Sequence, residues 1–281
     1  MKAAAAGYVR ANDLSHAISL LAASEGQARV LAGGQSLIAS LNLRLAGETA
    51  LIDINGVTEL CGIALDGDVL RIGALTRHRE LATSDLVARH APAISQAAPL
   101  IAHAAIRNRG TIGGSLAYAD PAAELPACMI ALDATIVVQG PAGRRGVRAT
   151  DFFIDLFTTD LGEDEMIVAI EVPACAPGER QVTMELARRS GDYALAGIVL
   201  VRRENGARVA FFGVGPTAVL ARAAMAVIDR EGSPDEAAAV LDQDIQPLDD
   251  VHAPASVRLH LARVLLRRAL NATLAAEVGH V

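Results

Sequence analysis

Two short segments combine glycine with hydroxyl and amide side chains in a pattern suited to holding an anion. In Leu31-Ala32-Gly33-Gly34-Gln35-Ser36, an apolar run ends, two glycines follow, and a stretch with helical spacing begins. Glycines let the backbone turn and allow a ligand to approach closely. Successive peptide N–H groups then point into one concavity, and the helix start adds partial positive charge, so a phosphate can sit there without an arginine. Taken alone, such a segment is more often a plain strand-to-helix connection. Arg107-Asn108-Arg109-Gly110-Thr111-Ile112-Gly113-Gly114-Ser115 repeats the theme further along, with a hydroxyl on each side of the glycine pair. Two such turns can grip a pyrophosphate from opposite sides. Neither carries the G-x-G-x-x-G spacing nor a Gly-Lys-Ser/Thr ending, which argues against the common dinucleotide and P-loop sites.

A third segment, Ala119-Asp120-Pro121-Ala122-Ala123-Glu124-Leu125-Pro126, sets two carboxylates four residues apart between prolines. Either can accept hydrogen bonds from ribose hydroxyls or ring N–H groups; the alternative is that Asp120 caps a short helix and Glu124 faces water. In Glu185-Leu186-Ala187-Arg188-Arg189-Ser190-Gly191-Asp192-Tyr193-Ala194, Tyr193 is placed to stack on a flat ring with its hydroxyl wetted. The alternative there is a tyrosine at the edge of the core, with Arg188 paired to Glu185 or Asp192.

Other chemistries find little support. Cys61, Cys128 and Cys175 lie too far apart for paired zinc ligands or an iron–sulfur cluster, and read as buried thiols in a reducing compartment. His16, His78, His90, His103, His252, His260 and His280 form no H-E-x-x-H pair, so no metal site is expected. Ser36 and Ser115 do not match the Gly-x-Ser-x-Gly elbow, and no catalytic residue is assigned. A net charge of −7 opposes a nucleic-acid partner. The apolar opening Met1 to Ala6 is broken by Gly7, Tyr8 and Arg10, too early for a secretory signal, and no stretch is long enough to span a bilayer. These features predict a cytoplasmic protein. Arg258, Arg263, Arg267 and Arg268 lie along the last helix, either to dock a partner or as a solvated or internally paired face.

The elements that must position these residues follow from periodicity. Asn12 to Ala23 carries apolar residues at helical spacing behind Asn12 and Asp13; Arg29 to Leu31 reads as a strand, Ser36 to Leu45 as a helix capped by the Ser36 hydroxyl, and Ala50 to Ile54 as a strand. This alternation predicts a small parallel sheet over residues 1–57. Asp66-Gly67-Asp68 between two apolar runs signals a hairpin and opens a mainly antiparallel unit, 58–173. It includes a helix from Ala91 to Ala102, a helical stretch after Pro126, and strands Thr135 to Gln139 and Ile167 to Val172. Pro173 to Glu179 marks a boundary. A sheet-plus-helices unit, 174–281, follows, with strands Ala194 to Val201 and Ala207 to Val214 and helices Ala218 to Asp229, Asp235 to Leu241 and Ala255 to Ala276.

In this order, the glycine segments with Asn42-Leu43-Arg44 and Asp120 to Glu124, and Ala187-Arg188-Arg189 with Gly191 to Ala194, resemble the FAD-binding medium subunit of the molybdenum hydroxylases, the family of carbon monoxide, xanthine and N-heterocycle dehydrogenases. The resemblance covers essentially the whole chain. It implies an α+β fold: a two-part FAD-binding domain of the vanillyl-alcohol-oxidase-like (PCMH) type, followed by a C-terminal domain of sheet plus helices. It implies that Ala32, Gly33, Gly34, Gln35, Ser36 and Leu37 face Thr111, Ile112, Gly113, Gly114 and Ser115 across the FAD pyrophosphate, and that Ile101, Glu124 and Tyr193 lie near the flavin ring. Many relatives carry Asp where Glu124 stands, and some are basic at Glu185, to which no role is carried. The family implies a large subunit with a molybdopterin-type molybdenum cofactor and a small subunit with two [2Fe-2S] clusters, in a dimer of heterotrimers. FAD is then the exit for electrons, and the flavin supplies the redox chemistry. A free-standing flavin-dependent oxidoreductase of the related fold and a nucleotide-binding regulatory module are the competing readings.

Overall fold

A computed structural model describes residues 7–45, 47, 49–204 and 206–275. The apolar opening 1–6, the last predicted helical residue Ala276 and His280 lie outside the described residues. Three sheets are laid down in chain order. The first pairs Tyr8–Arg10 (β1), Ala28–Leu31 (β2) and Ala50–Asp53 (β3), all parallel, in the order β1-β3-β2. Helix α1, Leu14–Ala23, crosses over it; the Asp13 carboxylate accepts the His16 N–H at 2.8 Å and caps it. Leu14, Ile18 and Leu21 recur on one face of α1 and bury against Ile52 of β3 and Val137, Met166 and Val168 of the second sheet.

The second sheet is antiparallel, with Ile63–Asp66 (β4), Val69–Gly73 (β5), Thr135–Gly140 (β6), Gly143–Arg148 (β7) and Met166–Pro173 (β10) in the order β4-β5-β10-β6-β7. A small hairpin, Phe153–Asp155 (β8) with Thr158–Thr159 (β9), sits outside it. The expected turn at Asp66-Gly67-Asp68 joins β4 to β5, with Gly67 at φ +55°. Short helices fill the connection from β5 to β6: α3 His78–Thr83, α4 Asp85–His90, α5 Pro92–Ala97, α6 Ala104–Arg107, α7 Ile112–Tyr118 and α8 Glu124–Ala131; α2, Leu37–Asn42, joins β2 to β3, and α9, Ala149–Phe152, follows β7. Helix α8 is buried along nearly its whole length, which is why it reads as a continuous apolar run rather than an amphipathic one.

The third sheet orders Arg180–Leu186 (β11), Ala196–Arg203 (β12), Gly206–Phe212 (β13) and Val219–Leu220 (β14), covered by α10 (Arg222–Asp229), α11 (Pro234–Ala239) and α12 (Ala255–Ala275). Alternation along β12 and β13 sends their side chains into two different cores. Val199, Val201, Ala210 and Phe212 pack with α5, α7 and α8 in the central core, whereas Ile198, Leu200, Val209 and Phe211 pack under α10 to α12. Gly197 lies beneath the Phe212 ring, where any Cβ would collide.

Several predicted boundaries move. Helix α2 stops at Asn42, and Arg44 takes a left-handed conformation, φ +58°, which ends it. Ser36 is itself helical (φ −101°, ψ −49°) rather than extended, so its hydroxyl caps nothing. The helix expected over 91–102 is only α5, and 218–229 begins as β14, whose backbone pairs with β13, before α10 starts. Cys128 is buried, but Cys61 is exposed and Cys175 partly so, against the expectation of three buried thiols.

Replacing Phe212 by Ala empties a fully buried position in the central core at the face shared with the third sheet. The expected loss is roughly 3–5 kcal/mol of unfolding free energy, read as a lower urea midpoint.

Candidate functional site

The end of β2 and the start of α2 form one wall of a groove of about 470 Å³, lined by Leu31 to Gln35, Ile38, Ala39, Asn42, Asp53, Asn55 and Arg109. Gly34 sits at φ +73°, a conformation that favours glycine, and the Gln35 amide donates to the Gly33 carbonyl at 3.0 Å to hold the turn. Among the described residues, the N–H groups of Gly33, Gly34, Gln35, Ser36 and Leu37 find no acceptor in the chain. Five adjacent free donors at a helix start, in a groove that Arg109 also lines, are the makings of a phosphate cradle.

A polar junction fixes this wall against the second glycine segment. Asn55 donates to the Ala32 carbonyl at 2.8 Å and to Asp53 Oδ1 at 2.7 Å, and its own Oδ1 accepts from Arg77 Nη2 at 2.7 Å. The other end of the Arg77 guanidinium donates to the Arg109 carbonyl. Gly33 rests directly on that carbonyl and on Gly110; a Cβ at Gly33 would drive into both. Tyr8 closes the far side by donating to Asp53 Oδ2 at 2.6 Å.

The second segment is built differently from the first. Gly113 and Gly114 are not a turn but the first residues of α7, with Thr111 as cap: its hydroxyl accepts the Gly114 N–H at 3.1 Å. The N–H groups of Ile112 and Gly113 donate to the Thr76 and Ala74 carbonyls, and that of Ser115 to the Thr111 carbonyl. Its donors are therefore engaged. The glycines serve closeness instead: Gly113 is pressed on Ala74, and Gly114 lies bare at the surface with Ser115 half-buried next to it. His78 supports the segment from below, its Nε2 3.0 Å from the Thr111 carbonyl and its ring against Gly110. Burial lowers the His78 pKa to about 4, and the neighbouring Arg107 and Arg77 add to this, so at neutral pH the ring is uncharged and Nε2 carries the donated hydrogen.

Carboxyl groups gather on a second surface, around the start of α8. Asp120 Oδ1 accepts the Ala122 N–H at 2.9 Å, which makes a tight turn ahead of α8 rather than a helix cap, since Ala123 holds the cap position. Glu124 does not face open water: burial pushes its carboxyl up to about 8, with Glu185 and Asp120 adding repulsion against the partial relief from its own N–H. Burial alone lifts Glu185 to about 7. Tyr193 is 69% exposed, yet burial of its hydroxyl end and the nearby Asp120 carboxyl raise its pKa. Arg188 donates to the His252 carbonyl, not to Glu185 or Asp192. Ile101 is buried, and Gly191 packs on the adjacent Ala102 carbonyl and His103 ring, which brings Ile101 beside the Tyr193 loop.

Arg258 of α12 secures this surface. Its buried guanidinium donates to the Leu195 carbonyl at 2.7 Å, the Gly213 carbonyl at 2.8 Å and Asp250 Oδ2 at 2.7 Å, while the Gly213 N–H donates to the Pro121 carbonyl at 2.8 Å. Arg263 and Arg267 are likewise bound within the chain, to the Ala238 carbonyl and to Asp235.

Residues 3–175 match the family described as the FAD binding domain in molybdopterin dehydrogenase, and residues 182–273 match the CO dehydrogenase flavoprotein C-terminal domain. The chain belongs to this flavoprotein family. It is 39% identical to the 6-hydroxypseudooxynicotine dehydrogenase complex subunit alpha of Paenarthrobacter nicotinovorans, over 96% of this chain and 95% of that one. It is 37% identical to the carbon monoxide dehydrogenase medium chain of Hydrogenophaga pseudoflava, over 94% and 96%. Among solved structures, the carbon monoxide dehydrogenase of Hydrogenophaga pseudoflava that lacks the Mo-pyranopterin moiety superposes with a TM-score of 0.93 at 38% identity, covering 98% of this chain and 99% of that one. The α+β architecture of a FAD-binding domain followed by a C-terminal domain is thus the family's own.

In the flavoprotein the structure gathers the predicted residues into two groups, Ala32 to Leu37 against Arg109–Gly110 and Ile101 with Glu124 and Tyr193, with α7 carrying Thr111 to Ser115. Asn55 and Arg77 were missed, whereas Arg258 takes the internally paired alternative read for the last helix. Asn55 and Arg77 lie outside any motif, although a polar pair just past a buried strand is a signal of sorts. Among the described residues no group of His, Cys, Asp and Glu is placed to hold a metal, and no helix is long and apolar enough to cross a membrane.

The raised Glu124 carboxyl makes a stability prediction with a definite sign. Between pH 4.5 and about 8 the folded chain keeps a proton there that the unfolded chain has released, so stability falls as pH rises through that window. In E124Q, urea midpoints measured on the flavin-free chain should fall less steeply over the same interval.

Proposed function

We propose that this chain holds FAD along the groove between α2 and α7 and serves as the electron exit of a multi-subunit molybdenum hydroxylase. Electrons arrive from [2Fe-2S] clusters in a small partner subunit, after a large subunit with a molybdopterin-type molybdenum cofactor has oxidised the organic substrate. They leave to an external acceptor. The supporting observation is the row of free N–H groups from Gly33 to Leu37 beside Arg109. It offers a pyrophosphate several hydrogen bonds and one positive charge, in a chain whose net charge is otherwise −7.

On this reading Ala32, Gly33, Gly34, Gln35, Ser36 and Leu37 bind the pyrophosphate. Thr111, Ile112, Gly113, Gly114 and Ser115 form the facing wall, where Gly114 leaves room for the cofactor and Ser115 offers its hydroxyl. Ile101, Glu124 and Tyr193 border the ring: an apolar side chain, a proton-bearing carboxyl and an exposed aromatic face. Bound flavin supplies the redox chemistry; the chain binds it, orients it and sets its surroundings. The three units 1–57, 58–173 and 174–281, cytoplasmic location and a dimer of heterotrimers belong to the same proposal. The relatives' names, a medium chain and a complex subunit among them, support assembly with other chains.

Gly34→Val forces a branched side chain into a left-handed position against Ile38 and Leu31, and Gly114→Val drives one into the Thr111 hydroxyl that caps α7. Both variants, purified within the assembled complex, should lack FAD by visible absorbance. Full flavin occupancy in both would overturn the pyrophosphate assignment.

A further inference from the structure

Glu185 stands near the end of β11, paired through its backbone with Gly197 of β12, and its Oε2 atom is buried with no hydrogen-bond partner. Such atoms are rare in folded proteins, and a bare ionised oxygen is the most costly kind. The groups around it offer no counter-charge. From α8 comes Glu124, also acidic, with Asp120 and the neutral thiol of Cys128 beside Glu124 in turn. From its own strand, Thr183 donates its hydroxyl to the Ala93 carbonyl. In the following loop, Tyr193 lies near Asp120 and Tyr118, and Arg188 is turned away to His252.

The cations on neighbouring elements are committed elsewhere. Arg107 donates to the Ile101 and Ala102 carbonyls, Arg258 to Leu195, Gly213 and Asp250, and His103 lies against Gly191. An ionised Glu185 would face the Glu124 carboxyl without a cation. A neutral one has an O–H that lacks an acceptor in the chain and is free for a ligand.

We infer that Glu185 carries a proton on its buried carboxyl and donates it in a hydrogen bond to an acceptor atom of the flavin ring system, with Glu124 as a second neutral carboxyl beside it. This rests on the reading that Ile101, Glu124 and Tyr193 border the ring. The ring's carbonyl oxygens and unprotonated nitrogens are acceptors, and they become better ones as electrons enter. A neutral O–H donor stabilises that added charge, whereas a carboxylate in its place opposes it. Glu185 is thus a residue that sets the flavin's reduction potential: it favours electron uptake while protonated and withdraws that help when it ionises. No covalent change at Glu185 is needed.

The test uses the assembled complex with FAD bound. Flavin reduction potential is measured against pH for wild type, E185Q and E124Q, together with infrared difference spectra of flavin reduction. The wild type should show a break near neutral pH beyond which the potential falls more steeply, and a protonated-carboxyl C=O band that shifts on reduction. E185Q keeps a neutral donor of the same shape and retains FAD through the pyrophosphate contacts, but should lose both the break and the band. If both persist in E185Q while E124Q moves the potential, the inference about Glu185 fails and the ring placement stands. If neither substitution changes the potential or the flavin absorption spectrum, the ring lies elsewhere, and the ring placement fails together with the inference.

Discussion

The contact between Gly33 and the Arg109 carbonyl is the constraint around which the cofactor groove is arranged. Two stretches far apart in sequence meet there backbone to backbone, a separation that no side chain at position 33 permits. Asn55 and Arg77 hold the meeting point in place: one binds the Ala32 carbonyl, the other the Arg109 carbonyl, and they bind each other. With both carbonyls satisfied, the peptide N–H groups of Gly33 to Leu37 are left without an acceptor among the described residues. The free row of donors is therefore a by-product of how the backbone's acceptors are met.

The two groups of predicted residues rely on opposite electrostatics. Around α2, free N–H donors and Arg109 favour negative charge. Around α8, desolvation raises Glu124 and Glu185, with repulsion adding at Glu124, and the Arg258 guanidinium is locked onto main-chain carbonyls. The first surface offers compensation to an anion, and the second withholds it. His78, kept neutral by burial, supports Thr111 without adding charge.

Much of this was legible in the residues themselves. Local signals succeeded where the physics is local: the parallel β1-β3-β2 sheet followed from strand–helix alternation, the β4-β5 hairpin from Asp66-Gly67-Asp68, and Gly34 from its place between strand and helix. Reading failed where tertiary contacts decide. Gly113-Gly114 looked like a second turn because a glycine pair ordinarily breaks a helix; here closeness to Ala74 requires the missing Cβ, and Thr111 supplies the cap that keeps the helix going. Ser36 looked like a cap, but the free cradle needs that residue helical. The acidity of Glu124 and Glu185 depends on what surrounds them in space, and Arg258 sits some sixty residues from the carbonyl of Leu195 that it binds; neither leaves a mark at short range in the sequence.

Strands β12 and β13 give one side to the central core and the other to the helices at the end of the chain. During synthesis this imposes an order on the molecule. The α2 wall and the residues that brace it are encoded within the first 115 residues and can assemble early, but α5 and α8 keep an apolar face uncovered until the chain has passed residue 212, and the Arg258 clasp forms later still. N-terminal segments that fold ahead of the rest run the risk of aggregation through exposed apolar surface. The surface around α8 and Tyr193 is thus the last part of the protein to be completed on the ribosome, and a nascent chain halted short of α12 has the α2 wall without its counterpart.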